Sequence, residues 1–246
     1  MSNGSLPHIT WCPTGPLCYL PLHAAGVYSD PLGPRVYDFV VSSYVPSLAA
    51  LLRCYNDIPE TTPQALIVTQ PATPGHSPLR GTVDERSRLA TVFSESNIRK
   101  STLDDAQATV DAVQVSWSAF ALYNGPLTLA KLMSTMANDA ELAFLSACQT
   151  AVGDSRTPEE SAHLGADMLA VGFKGVVATT WSIVDNDAPV VVEAYYKELL
   201  ALRNAGSVGK DETGAAYALH EATRVLREKV GVEDFARWVS FVHFGV

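Results

Sequence analysis

Residues 142–154, "LAFLSACQTAVGD", climb through an apolar run to one cysteine, then break into small and polar residues ending in an acid. An apolar run bounded by turn residues suits a strand covered on both faces. In open α/β sheets, ligand chemistry gathers at the carboxyl ends of strands. Cys148 stands at one such end, and Trp181 to Asp187 stand at another, after "KGVVATTW" (174–181). The spacing leaves two roles open for Cys148. It is a nucleophile delivered to a cleft, or a small buried hydrophobe, as most free cysteines are. A free thiol is mostly protonated at neutral pH, and a nearby histidine or helix N-terminus is what lowers its pKa.

Working outward, strands and helices alternate. "QALIVTQP" (64–71) reads as a core strand ended by Pro71, and "TVDERSRLATVF" (82–93) as a helix. "STLDDAQATVDAV" (101–113) reads as a second helix, opened by Ser and Thr with acids in its first turn. "VSWSAFALYNG" (115–125) is a strand closed by an Asn-Gly turn, and "PEESAHLGADMLAVGF" (158–173) an amphipathic helix. Two more helices follow in "NDAPVVVEAYYKELLALRNA" (186–205) and "TGAAYALHEATRVLREKV" (213–230). Upstream, "HITWCPTGPLCYLPLH" (8–23) predicts two short strands around "PTGP". "YDFVVSSYVP" (37–46) is a further strand, and "SLAALLRCY" (47–55) a short helix capped by Ser47. The pattern predicts an α/β fold with a mostly parallel sheet and helices on both faces.

The chain has 246 residues, 47% hydrophobic and 17% charged, which is globular composition for one large domain. Its net charge of −9 and lack of a basic cluster argue against nucleic acid as a partner. The four cysteines form no CxxC pair and no zinc spacing, so neither metal nor cofactor is expected. The N-terminus has no signal-peptide pattern. The most apolar stretch (168–181) carries Lys174 and is too short for a bilayer. A soluble cytoplasmic protein with reduced thiols and no membrane partner is the expectation.

"LSACQTAVGD" (145–154), "HLGADMLAVGFKGVVATTWSIVDNDAP" (163–189), "WCPTGPLCYLPLHAAG" (11–26), "SSYVPSLAALL" (42–52) and "FVHFG" (241–245) together resemble a CHAT domain of the fungal type. The resemblance spans Trp11 to Gly245, which makes residues 1–246 a single CHAT-like domain. It implies a caspase-like sheet and a cysteine endopeptidase acting through a Cys–His dyad on a polypeptide substrate. In longer relatives it implies a neighbouring tetratricopeptide-repeat region. The family cysteine falls on Cys148.

The family histidine sits in a strand-end motif similar to "HFACHG", upstream of the cysteine strand. Here the flanking elements are joined by "QVSW" (114–117) alone, and no histidine occurs between His76 and His163. That strand reads as deleted. Either 114–122 takes its place, or the sheet has a gap or a raw edge, because a crossover and a strand need far more than four residues. His23 ends a strand-like segment and is the best placed to substitute. His163 and His220 lie on helices, His243 in a structural C-terminal motif, and His8 and His76 in loops.

A positioned general base is worth about 10²–10⁴ in rate. The reading is therefore a catalytically impaired peptidase. The alternative is a non-enzymatic module binding a peptide or protein partner in the old cleft. A third possibility, an unrelated Rossmann-like domain, lacks GxGxxG and GxSxG motifs. Asp154 and Asp185 are candidates for a pocket receiving a basic side chain, or caps of the following helices. Trp181 is pocket wall or core. Asp187 reads as an N-cap, and the pairs Asp104–Asp105 and Glu159–Glu160 as acids in first turns of helices.

Overall fold

Gly175–Thr179 is buried at every position, as a strand must be when helices cover both of its faces. Its side chains alternate between two cores. Val177 joins Val191, Tyr195, Leu199, Ala218 and Leu226 on one face. Val176 and Ala178 join Met168, Leu169, Phe173 and Phe244 on the other. The computed structural model describes residues 6–55, 64–69, 71, 79–107, 141–146, 159–208 and 213–246, leaving aside the side chains of 105 and 159–164.

In chain order the elements are β1 (His8–Trp11), β2 (Val41–Tyr44), α1 (Leu48–Cys54), β3 (Gln64–Thr69), α2 (Gly81–Glu95), β4 (Arg99–Asp104) and β5 (Leu142–Phe144). Then follow α3 (Glu159–Val171), β6 (Gly175–Thr179), α4 (Ala188–Asn204), α5 (Ala215–Val230), α6 (Phe235–Trp238) and β7 (Phe241–Gly245). Five strands form one sheet in the order β1-β2-β7-β6-β5. Its pairings are parallel except β6 with β7, where Val177 faces His243. Helices α4 and α5 cover one face, while α3 and α1 contribute to the other. Gly165 of α3 comes so close to β7 that an added Cβ would stand 2.6 Å from the Phe244 ring.

Among the described residues, β3 and β4 form a separate parallel pair, and β5 pairs with β6 alone. No described strand joins β3 to β5. Residues 114–122, expected to replace a missing strand, lie outside the described residues.

The helix expected over 101–113 is corrected at its start. Ser101–Asp104 continue β4, followed by a 3-10 turn over Asp105–Gln107. Pairing along the whole length of β3, from Gln64 opposite Arg99 to Thr69 opposite Asp104, overrides a local signature of Ser, Thr and acids. Asp104 therefore compensates no helix dipole. The second strand expected within 8–23 is also absent. Gly15–Tyr19 and Leu22–Ala24 are 3-10 turns, where Pro13, Pro16 and Pro21 remove the donors a ladder needs. His8, read as a loop residue, opens β1. The Ser47 cap on α1 is present, its side chain accepting from the Ala50 N–H at 3.2 Å.

Candidate active site

The carboxyl end of β5 is held from two directions. The Leu145 N–H donates to the Val177 carbonyl at 2.8 Å, extending the sheet one residue past the strand. The Ser146 hydroxyl then donates to Oε2 of Glu85 at 2.7 Å. Glu85 lies on α2 and is buried. Burial first, then the charges of Asp185 and Asp84, push its carboxyl up to about 7 against the opposing pull of the Ser146 bond.

The start of α2 is fixed by the loop after β6. The Gly81 N–H donates to Oδ2 of Asp185 at 2.7 Å. A Cβ on Gly81 would stand 2.3 Å from the Asp185 carbonyl oxygen, so the close approach requires glycine. Asp185 thus binds the N-terminus of α2, a helix about a hundred residues earlier, rather than that of the helix that follows it. Trp181 is exposed, and its indole N–H donates to the Ala236 carbonyl at 2.8 Å.

Asp187 occupies the N-cap position of α4, but its side chain caps nothing. Its fully buried carboxylate is taken by Arg237, with Nε at 2.7 Å and Nη2 at 2.6 Å. The cap expected there is corrected: a bidentate guanidinium outcompetes the backbone N–H groups for a carboxylate removed from water. Asp104 accepts from Thr69 and from Arg86, tying the ends of β3 and β4 to α2.

Four of the six histidines have described side chains, and three of them are locked into the fold. The His23 ring has Nδ1 at 2.8 Å from the Tyr44 hydroxyl and Nε2 at 3.0 Å from the Val239 carbonyl. Burial lowers its pKa to about 4, so it is neutral at physiological pH. His243 Nδ1 lies 2.7 Å from Ser43 Oγ, which lies 2.7 Å from His8 Nε2. Burial takes His243 down to about 3, with His8 adding to the shift. His220 is on α5 as expected, its pKa also lowered by burial. His163 falls within α3, and His76 lies outside the described residues. Cys148 and Asp154, the leading sequence candidates, lie outside them too. The structure brings Trp181 and Asp185 to one loop and adds Glu85 and Ser146, which the sequence reading did not single out. Among the described residues, no group of three or more His, Cys, Asp or Glu side chains is arranged to hold a metal ion. Among them, too, no helix is long and apolar enough to cross a membrane.

The CHAT domain family model matches residues 1–120 and 108–246. The chain belongs to the CHAT domain family. The two matches overlap at 108–120, across the Gln114–Trp117 junction. This CHAT domain is similar in fold to the Arg-specific cysteine proteinase gingipain R, with a TM-score of 0.54 at 10% identity. The match covers 84% of this chain and 54% of the gingipain chain, so the CHAT domain spans about half of that proteinase chain. No curated protein sequence matches it. Family and fold together make the chain a CHAT domain with an α/β architecture similar to that of gingipain R.

Proposed function

We propose that residues 1–246 form one caspase-like cysteine endopeptidase domain in which Cys148 is the ancestral nucleophile and catalysis is impaired by the loss of its histidine. The observation that carries this is the state of the histidines. None lies between His76 and His163, and His23, the best placed substitute, has both ring nitrogens engaged within the fold. Making it a base would require breaking the Tyr44 or Val239 contact. The two family matches overlap at 108–120, the region of the proposed deletion.

Peptide hydrolysis needs the Cys148 thiolate to attack the scissile carbonyl and a proton to reach the departing amine. A histidine serves both steps. Without it the thiol still forms adducts with electrophiles, which need no proton donated to a leaving amine. In this reading Asp154, Asp185 and Trp181 line the substrate cleft, the acids favouring a basic side chain before the scissile bond. Treatment of the intact protein with iodoacetamide, with peptide mapping, tests the nucleophile. Cys148 is expected to be modified in the folded protein. A Cys148 that is modified only after unfolding would favour the partner-binding module instead.

A further inference from the structure

Strands β2 and β7 meet in register at Tyr44 opposite Phe244 alone, whereas β6 and β7 pair from Gly175 opposite Gly245 to Thr179 opposite Phe241. Toward their starts β2 and β7 leave an opening, with Val40 and Ser42 on one side and Phe241 and Val242 on the other. Helix α5 walls it with His220 and Arg227. The pocket measures about 450 Å³, its open mouth included. Arg227 differs from Arg86, Arg88, Arg203, Arg224 and Arg237, each of which pairs with a carboxylate. Its guanidinium stands 3.8 Å from the ring centroid of Tyr37 and 5.1 Å from that of Trp238, two further residues of the pocket. Such contacts use none of its five N–H donors. Among the described residues the nearby acids are engaged elsewhere. Asp38 attracts Arg227 from beyond ion-pair reach, and its carboxylate accepts the Arg35 N–H at 3.0 Å. Glu221 and Glu228 are taken by Arg224. Burial lowers the pKa of Arg227, as it does for a cation removed from water without an anion beside it. On the β2 wall, the Ser42 hydroxyl is buried without a hydrogen-bond partner, which is costly unless something in the pocket supplies one.

We propose that the opening between β2 and β7 is a binding site for a carboxylate, held by the free N–H groups of Arg227, with the Ser42 hydroxyl as a further hydrogen-bond partner inside. A guanidinium fork matches the two oxygens of a carboxylate, and Phe241 and Val242 give an apolar wall for the chain that bears it. The charge of the site selects a monoanion. Arg227 is the one cation among the lining residues, because burial lowers the pKa of His220 and holds His23 at about 4 and His243 at about 3. A dianion such as inorganic phosphate would leave one charge uncompensated beside buried surface. The carboxylate belongs to a free short-chain acid or to an acidic side chain of a polypeptide. The proposal stands apart from the reading of Cys148 and does not depend on it.

The test is isothermal titration of the intact protein, at ionic strength held constant with sodium chloride, with sodium butyrate and with an end-capped Ala-Glu-Ala peptide. Butyramide, end-capped Ala-Gln-Ala and inorganic phosphate are the comparisons. Saturable binding in the millimolar range is expected for at least one carboxylate. Tighter binding of the peptide assigns the site to a polypeptide, and tighter binding of butyrate assigns it to a free acid. Arg227→Gln should weaken the binding about tenfold. Arg227→Lys keeps a cation over the two rings and so keeps the fold, yet it loses the fork and should weaken binding severalfold. Ser42→Ala removes a hydroxyl that has no partner in the fold, so it should weaken binding while leaving Tm unchanged or raised. Carboxylate heats no larger than those of the two amides would overturn the proposal. So would full affinity in both Arg227 variants, full affinity in Ser42→Ala, or phosphate bound more tightly than either carboxylate.

Discussion

The Tyr44 hydroxyl lies 2.8 Å from Nδ1 of His23 and accepts the backbone N–H of the same residue at 3.0 Å, so one side chain satisfies two polar groups of another. With Nε2 on the Val239 carbonyl, the arrangement makes His23 a structural residue joining the Leu22–Ala24 turn, β2 and the segment before β7. Tyr44→Phe removes one oxygen but leaves both His23 groups short of a partner. It should cost about 1–3 kcal/mol, read as a lower urea midpoint with an unchanged slope. A neutral result would mean that His23 is free to move and open to catalytic use.

The buried histidines and Glu85 give stability a defined pH dependence. Burial holds His23 at about 4 and His243 at about 3, against an ordinary 6.5. Each keeps the folded state from taking up a proton that the unfolded chain accepts, so their stabilisation is present above 6.5 and is lost as pH falls. Glu85 runs the other way. Its folded value of about 7 exceeds the ordinary 4.5, so its contribution is present below 4.5 and is lost as pH rises toward 7. Between 4.5 and 6.5 the unfolded chain gains the imidazole protons of His23 and His243, with His220 adding to them, while the folded chain keeps one carboxyl proton. Stability should therefore fall with decreasing pH by at least about 1.4 kcal/mol per unit. Glu85→Gln removes the opposing proton, and urea unfolding at stepwise pH should show the acid slope steepened by about 1.4 kcal/mol per unit. An unchanged slope in this variant would contradict the buried, near-neutral Glu85.

Gly81 is the point where α2 meets the loop after β6. An added methyl group would stand 2.3 Å from the Asp185 carbonyl oxygen and 2.6 Å from its Oδ1, and backbone cannot rotate away as a side chain does. Gly81→Ala should destabilise by about 1–3 kcal/mol, against the usual gain of an alanine in a helix. Thermal unfolding checks the sign. A rise in Tm would show that α2 and this loop are not in contact.

Much of the fold was legible because the deciding signals are local. The apolar run at Gly175–Thr179 announces a strand buried on both faces, and the spacing in Ala215–Val230 announces an amphipathic helix. Where partners at a distance decide, the sequence misled. Residues 101–104 look like the start of a helix until β3 is laid beside them. Asp187 looks like a cap until Arg237, fifty residues later, reaches its carboxylate. Glu85 carried a usable signal. With Gly81, Thr82, Val92 and Phe93 it lies on the buried side of α2, and helical spacing places it there. Its partner Ser146 belongs to an element distant in the chain, which no periodicity reveals. The dyad question was legible as an absence, since histidines are counted from sequence alone.

The central claim is that this CHAT domain retains its cysteine and has lost efficient hydrolysis. The most direct measurement is turnover of peptide substrates ending in Arg or Asp by the intact protein and by its Cys148→Ala variant. The account predicts that the two are indistinguishable at neutral pH, or differ by a residual rate about 10²–10⁴ below that of a cysteine peptidase with its base in place. Robust turnover by the intact protein that disappears in Cys148→Ala would contradict it.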